Sequence, residues 1–196
     1  GSLFCQDQNQ VNSHKLKSFL INKLSQMDCE IIKVQKLEKI SLFEKFVKLD
    51  NTKIKAEKVI IACGVWSEQL IKKSFDISLP LRPIKGVSML LDAGRELFTN
   101  NLWFKNIYVA PREKNILAIG ATEEEKGFNT SITMDEIYFL SKNAWEIFPD
   151  LENFRLLEFK SGIRPSVIDG NPIIGSLGSV APNVICAFGH YRHGIL

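Results

Sequence analysis

Two arginines, each following an apolar stretch, are the residues best suited to hold an anionic ligand. Arg164 lies in SGIRPSVIDG directly before Pro165, and a proline restricts the residue before it to extended conformations. Its guanidinium therefore projects from a well-defined main chain. Arg192 lies in GHYRHGIL, after the apolar run NVICAFG. A guanidinium can hold a carboxylate through two parallel hydrogen bonds, although a structural salt bridge explains Arg164 equally well.

The two histidines beside Arg192 raise the question of a metal site or an acid–base site. His190 and His193 would need carboxylate or thiolate partners to hold a metal, and the nearest is Cys186, inside an apolar run. A hydrolase of the Ser–His–Asp type would need a turn such as GxSxG, which the sequence lacks. The sequence therefore predicts no metal site and assigns no catalytic acid or base.

Two further stretches have the residue types of a binding site. In VIIACGVWSEQLI (59–71) an apolar strand passes through a glycine into a helix, and glycine lets a ligand approach the backbone. An ordinary strand-to-helix turn gives the same pattern. Tyr108, in the strand NIYVAPR, either turns its hydroxyl into a cleft or packs against its neighbours. The residues alone leave both alternatives open.

Helices and strands must position these residues, and the sequence predicts that the two alternate along the chain. Apolar residues at helical spacing predict a helix at about 13–27. The region 29–63 predicts a short core strand and then a small antiparallel meander, and it ends in a strand buried on both faces at 58–64. A helix at about 65–73 follows.

The middle of the chain is more strand-like. Strands are predicted between 84 and 121, with a hairpin turn at 112–115, and a capping box at Thr133 opens a helix at about 133–148. The remaining predictions are a strand near 154–162, a loop-rich stretch at about 165–178 and a buried strand at 183–189. The class is α/β at the two ends, with an antiparallel α+β piece between them.

Composition excludes several function classes. The net charge is only +3, and acidic residues are interleaved with the lysines, so we expect no nucleic-acid partner. No apolar run approaches the ~20 residues that span a bilayer. Four cysteines without a CxxC pair predict reduced, mostly buried thiols in a cytoplasmic protein: Cys5, Cys29, Cys63 and Cys186. Whether the chain forms a homo-oligomer stays open.

A series of segments in order resembles one family over nearly the whole chain. VIIACGVWS, LPLRPIKGVSMLL, YVAPREKNILAIGATEEEKGF, SGIRPSVIDGNPIIG and GHYRHGIL are similar to stretches of the FAD-dependent amino-acid oxidases of the D-amino-acid oxidase superfamily. Within that superfamily they resemble the glycine oxidases of thiamine biosynthesis. The resemblance implies an incomplete Rossmann-like FAD-binding domain and a mixed, antiparallel substrate-binding sheet with a covering helix.

The resemblance also implies roles for individual residues. Arg164 would bind the substrate carboxylate, Tyr108 would line the substrate pocket, and Arg192 would lie near the substrate. The loop whose backbone wraps the flavin would be His190, Tyr191, Arg192, His193, Gly194, Ile195 and Leu196. The residues beside the adenosine would be Leu37, Ala62, Cys63 and Gly64.

The chain departs from the family pattern in four ways. Glu123 follows GAT where glycine oxidases carry an apolar pocket residue, and His193 stands where asparagine is common. The GxGxxG turn that holds the FAD pyrophosphate is absent, as is the family's closing helix, so we expect a fragment that retains no FAD and is inactive alone. The predicted domain ranges are 3–80 and 159–196 for FAD binding and 81–158 for substrate binding.

The function implied by the resemblance is oxidation of the C–N bond of a small amino acid such as glycine. The hydride would pass to FAD, and dioxygen would then yield hydrogen peroxide. A sarcosine oxidase-like activity and a D-amino-acid dehydrogenase activity are alternatives within the superfamily. A non-catalytic binding module without flavin is an alternative of another class.

Overall fold

The helices and strands form a mixed α/β fold with several sheets. The computed structural model describes residues 9–34, 36–43, 47–49 and 52–195. The α-helices are α1 (Ser13–Gln26), α2 (Ser67–Phe75) and α3 (Met134–Ile147). The strands are β1 (Ile40–Leu42), β2 (Val47–Leu49), β3 (Thr52–Ile54), β4 (Val59–Ile61), β5 (Leu81–Asp92), β6 (Leu102–Phe104), β7 (Ile107–Pro111), β8 (Ile116–Gly120), β9 (Arg155–Val167), β10 (Ile173–Leu177) and β11 (Ala181–Phe188). The predicted mixed class is confirmed.

The chain divides into two compact units. The first unit comprises Gly1–Val34, Val87–Thr122 and Ile132–Lys160. The second unit comprises Gln35–Gly86, Glu123–Ser131 and Ser161–Leu196. The long strands β5 and β9 contribute residues to both units.

A five-stranded sheet and α3 form the core of the first unit. The strand order is β6-β7-β8-β5-β9, and the pairs β6–β7, β7–β8 and β8–β5 are antiparallel. Alternate side chains of β5, at Val87, Met89 and Leu91, are buried on one face, as the two-residue period of a strand requires. Leu140 and Ala144 lie four residues apart on α3 and belong to the same core.

Local signals set the boundaries of α3 and of the β7–β8 hairpin. The Glu136 side chain accepts a hydrogen bond of 2.7 Å from the Thr133 backbone N–H, and the Thr133 side chain accepts one from the Glu136 backbone N–H, which together form the predicted capping box. The hairpin closes where Arg112 N–H donates to the Ile116 carbonyl. The predictions for both elements are confirmed.

Two small sheets and α2 build the second unit. The pair β11–β4 is parallel, β10 pairs antiparallel with β11, and β1-β2-β3 form the predicted antiparallel meander. Leu70 and Ile71 of α2 are buried in one core with Ile61, Val184 and Phe188. This core fixes where β4 and β11 end.

Several sequence predictions are wrong. Residues 29–34 form no strand and are exposed, because a core strand needs a hydrogen-bonded neighbour and no described strand pairs with them. Ile60 of β4 is 66% exposed, so β4 is not buried on both faces. The stretch 165–178, predicted to be loops, contains β10, because its glycines and prolines are typical of loops and gave no strand signal.

The cysteines and α1 also differ from expectation. Cys29 and Cys63 are free thiols but exposed, and Cys186 alone among the described cysteines is buried, while Cys5 lies outside the described residues. The predicted helix α1 is confirmed, yet its apolar side chains, such as Phe19, are exposed. No helix in the described part of the chain is both long and apolar enough to cross a membrane.

Candidate functional site

The parallel pairing of β4 and β11 brings two of the predicted site segments to one edge of a sheet. The register pairs Val59 with Val184 and Ile61 with Cys186, so both strands end at the same edge. Each strand then passes into a glycine with a left-handed backbone, Gly64 at φ 58° and Gly189 at φ 85°. Ligands of open α/β sheets bind at the carboxyl ends of the strands, which is where these turns lie.

A cavity of about 490 Å³ opens in the second unit beside the turn after β4. Leu37 and Cys63, which the resemblance placed beside the adenosine, both line it. Its other lining residues are Lys36, Glu38, Trp66, Gln69, Leu70 and Lys73. Ala62 is exposed and Gly64 is half-buried next to Cys63, and neither lines the cavity. The structure therefore brings together two residues that are far apart in the sequence.

The chemistry of this cavity fits one end of an adenine nucleotide. Leu37 and Trp66 offer apolar surface, and Lys73 adds a positive charge at the lining. The volume lies within the roughly 300–1,000 Å³ of small-molecule sites. A Cβ built on Gly64 would meet no heavy atom within 4 Å, so the backbone at the end of β4 is open to a ligand. Cys63 is exposed overall, yet partial burial raises the pKa of its thiol.

The loop after β11 is largely exposed. His190 and Tyr191 are half-buried, whereas residues 192–195 are exposed; Leu196 lies outside the described residues. The loop is held in two places: Tyr191 N–H donates to the Pro165 carbonyl at 2.9 Å, and His193 N–H donates to the His190 carbonyl at 2.8 Å.

Arg164 lies directly over a glycine of β5. A Cβ built on Gly86 would come within 2.3 Å of Arg164 Nη2 and 2.4 Å of Nη1. The half-buried guanidinium therefore occupies the space that any side chain at Gly86 would fill. Gly86 was not among the predicted site residues, although an isolated glycine in a strand pattern is a signal of such a close approach.

Glu123 contacts two side chains of the loop after β11. The Tyr191 hydroxyl donates to Glu123 Oε1, and Arg192 Nη2 forms an ion pair with Glu123 Oε2. The Tyr191 hydrogen bond, with the charges of Arg192 and Arg164, lowers the pKa of the Glu123 carboxyl. Arg192 also lies over the Tyr191 ring, with 5.2 Å between Cζ and the ring centre. The sequence marked Glu123 only as a departure from the family.

Glu123 should make the stability of the chain depend on acidic pH. A pKa lowered by folding means that the carboxylate stabilises the folded chain above its unfolded pKa. We expect this stabilisation to fade as the pH falls below the ordinary value of 4.5 and through the lower folded value. Urea unfolding of the wild type and of Glu123→Gln across that range measures it, and the two curves should converge at low pH. Curves that stay parallel would contradict the assignment.

Tyr108 belongs to the first unit. It pairs with Gly120 across the β7–β8 hairpin, and a Cβ on Gly120 would meet the Tyr108 hydroxyl at 2.8 Å. The Trp103 ring lies 5.7 Å from the Tyr108 ring, centre to centre. The side chain is half-buried by this packing. Its role in lining a substrate pocket stays a prediction.

Among the described residues, the fold places no set of further metal-binding side chains beside His190 and His193. Within the described ranges, no group of three or more histidine, cysteine, aspartate or glutamate side chains could hold a metal ion. His190 and His193 share the turn after β11 through backbone atoms.

Known proteins similar to this chain agree with the resemblance. The chain is 37% identical over 147 residues to the bifunctional protein ThiO/ThiG of Nostoc sp. This match covers 73% of this chain and 21% of that protein. It is 34% identical over 142 residues to the glycine oxidase of Geobacillus kaustophilus, covering 72% of this chain and 37% of the relative. The crystal structure of glycine oxidase from Geobacillus kaustophilus matches with a TM-score of 0.74 and 29% identity, covering 82% of this chain and 44% of that one.

The chain thus spans less than half the length of each of these relatives. The family model described as FAD dependent oxidoreductase matches residues 1–196, and the chain therefore belongs to the FAD dependent oxidoreductase (DAO) family.

Proposed function

We propose that this chain is part of an enzyme that oxidises the C–N bond of a small amino acid, such as glycine, with FAD as its cofactor. The observation that carries the proposal is Arg164, whose guanidinium lies over Gly86. A guanidinium placed in this way suits the carboxylate that every amino acid carries. Glycine oxidases among the similar proteins support the substrate class.

The cofactor would lie along the carboxyl edge of β4 and β11. The cavity lined by Leu37 and Cys63 would hold the adenosine end, and the backbone of residues 190–195 would contact the flavin ring. Bound there, FAD would supply the redox chemistry, namely uptake of the hydride from the carbon that bears the amine and transfer of the electrons to dioxygen, so that an imine and hydrogen peroxide would be the products.

The residues of this chain would supply orientation. Arg164 would hold the carboxylate in place, so that the C–H bond of the substrate has one orientation. Arg192 and Glu123 would fix the charge around that carboxylate. In this proposal the protein orients the substrate, and no described residue needs to act as a general base.

The cofactor part of the proposal is tested by protection of a thiol. In chains that keep only Cys63 or only Cys29, millimolar ADP should slow alkylation of Cys63 severalfold, because the adenosine would cover its sulfur in the cavity. Alkylation of the exposed Cys29 should keep its rate and serves as the control. Equal rates at Cys63 with and without ADP would contradict an adenosine site there. The rates are read by mass spectrometry.

The substrate part is tested in the complete enzyme that contains this chain. Glycine, sarcosine and D-alanine, each with dioxygen or a quinone as acceptor, separate the oxidase from the sarcosine oxidase-like and dehydrogenase alternatives. We expect glycine and dioxygen to give imine and hydrogen peroxide. Turnover with a quinone only would instead support a dehydrogenase.

A further inference from the structure

We propose that Glu123 acts as an internal carboxylate that fills one of the two arginine positions, so that this site selects ligands with a single carboxylate. The inference rests on the proposed function, since it takes Arg164 as the residue that binds the ligand carboxylate. It assigns Glu123 a role in specificity, as a positioning residue that acts through the charges beside it.

Backbone pairing places Glu123 beside Arg164. Lys85 N–H donates to the Glu124 carbonyl at 2.8 Å, and Glu124 N–H donates to the Lys85 carbonyl at 3.0 Å. In this antiparallel bridge the residue after Lys85 faces the residue before Glu124, so Glu123 lies opposite Gly86. Gly86 is the residue over which the Arg164 guanidinium lies. The register therefore brings Glu123 opposite the glycine over which the guanidinium lies, and the charge of Arg164 contributes to the lowered pKa of the Glu123 carboxyl.

A second set of contacts fixes the other side of Glu123. The Tyr191 hydroxyl and Arg192 Nη2 each bond one of the two carboxylate oxygens. Tyr191 is itself tied to Pro165, the residue after Arg164, by the 2.9 Å hydrogen bond of its backbone N–H. The loop after β11 thus pairs Glu123 with Arg192 and is itself attached to β9 beside Arg164.

The charge balance of this cluster decides which anion it can accept. Two guanidinium groups and one carboxylate leave one positive charge, which a single ligand carboxylate neutralises. A second ligand carboxylate would have to displace Glu123 from Arg192 or lie beside it as a like charge. At a partly exposed site, such a contact costs about 1 kcal/mol or more, or about fivefold in affinity. Glycine meets this requirement, and amino dicarboxylates do not.

The experiment compares acetate with malonate on the full 196-residue chain. Binding is followed by NMR through the side-chain signals of isotope-labelled arginines, with Arg164→Ala identifying the Arg164 signal. In the wild type we expect acetate to shift this signal and malonate to bind no more tightly. In Glu123→Gln, which keeps the size of the side chain and its hydrogen-bonding oxygen, we expect malonate to gain at least about fivefold over acetate and to shift Arg192 as well.

Glu125→Gln is the matched control. It removes the same charge two residues away, where Glu125 pairs with Arg82 at 2.9 Å, and the ratio of malonate to acetate affinity should stay at the wild-type value. An unchanged ratio in Glu123→Gln, with acetate still bound at Arg164, would overturn the selectivity role and leave the proposed function standing. Acetate that never reaches Arg164 in any of the chains would overturn both. An equal gain in malonate affinity in Glu125→Gln would mean that the net charge of the chain alone explains the effect, and it would overturn the inference.

Discussion

Replacing Gly86 with alanine will weaken acetate binding at Arg164 by about tenfold or more, while the chain stays folded. The new Cβ would lie 2.3 Å from Arg164 Nη2, which forces the guanidinium out of its position. Because the displaced group is the end of a flexible side chain, the fold can accommodate the methyl group at little cost. A hydrogen bond to a charged group contributes ~1.5–3 kcal/mol, and the displaced guanidinium forfeits about that much.

The matched control is Gly162→Ala on β9. A Cβ there would meet no heavy atom within 4 Å, so neither acetate binding nor the free energy of unfolding should change much. Both variants are measured by the same NMR titration and by urea unfolding. Wild-type acetate affinity in Gly86→Ala would show that the position of Arg164 over Gly86 does not matter for binding.

Replacing Gly189 with alanine should have the largest effect on stability. Its φ of 85° is one that residues with a Cβ rarely adopt, and the added Cβ would lie 2.6 Å from Val167 Cγ2. The backbone strain costs ~1–2 kcal/mol and the overpacking ~1–3 kcal/mol, so the free energy of unfolding should fall by about 2–5 kcal/mol. Urea unfolding measures the loss.

Two companion variants separate the strain from the overpacking. Gly178→Ala has a φ of 63° with open space around the Cβ, and should lose only the ~1–2 kcal/mol of strain. Adding Val167→Ala to Gly189→Ala should recover part of the overpacking cost, which a double-mutant cycle isolates. Equal losses in Gly178→Ala and Gly189→Ala would mean that contact with Val167 contributes nothing.

Elements whose signals are local could be predicted from the sequence. The capping box at Thr133 and Glu136 starts α3 by hydrogen bonds within one turn, and the charged turn at 112–115 closes β7 onto β8. β10 could not be predicted in the same way, because its pairing with β11 is invisible to local patterns and Gly175 weakens its strand propensity. The exposed apolar side chains of α1 show that periodicity identifies a helix face but not its partner.

Residues of the candidate site could be predicted where their type indicates a particular chemistry. Arg164 and Arg192 could be found because a guanidinium after an apolar strand suits an anion, and Leu37 and Cys63 were found through resemblance and do line one cavity. The place of Glu123 opposite Gly86, the glycine beneath Arg164, depends on the register of Lys85 with Glu124. Register between distant segments follows from tertiary packing, so the sequence alone could not supply it.

The parallel register of β4 and β11 also bears on when the site can form. Val59 and Val184 are paired although more than a hundred residues separate them. Closing so long a loop is entropically costly before its contacts form, and such non-local pairings slow folding. On the ribosome, the edge of the sheet proposed to hold FAD cannot exist until β11 has emerged, long after β4. Cofactor capture should therefore be among the last steps of folding, after the β7–β8 hairpin and α3 have formed.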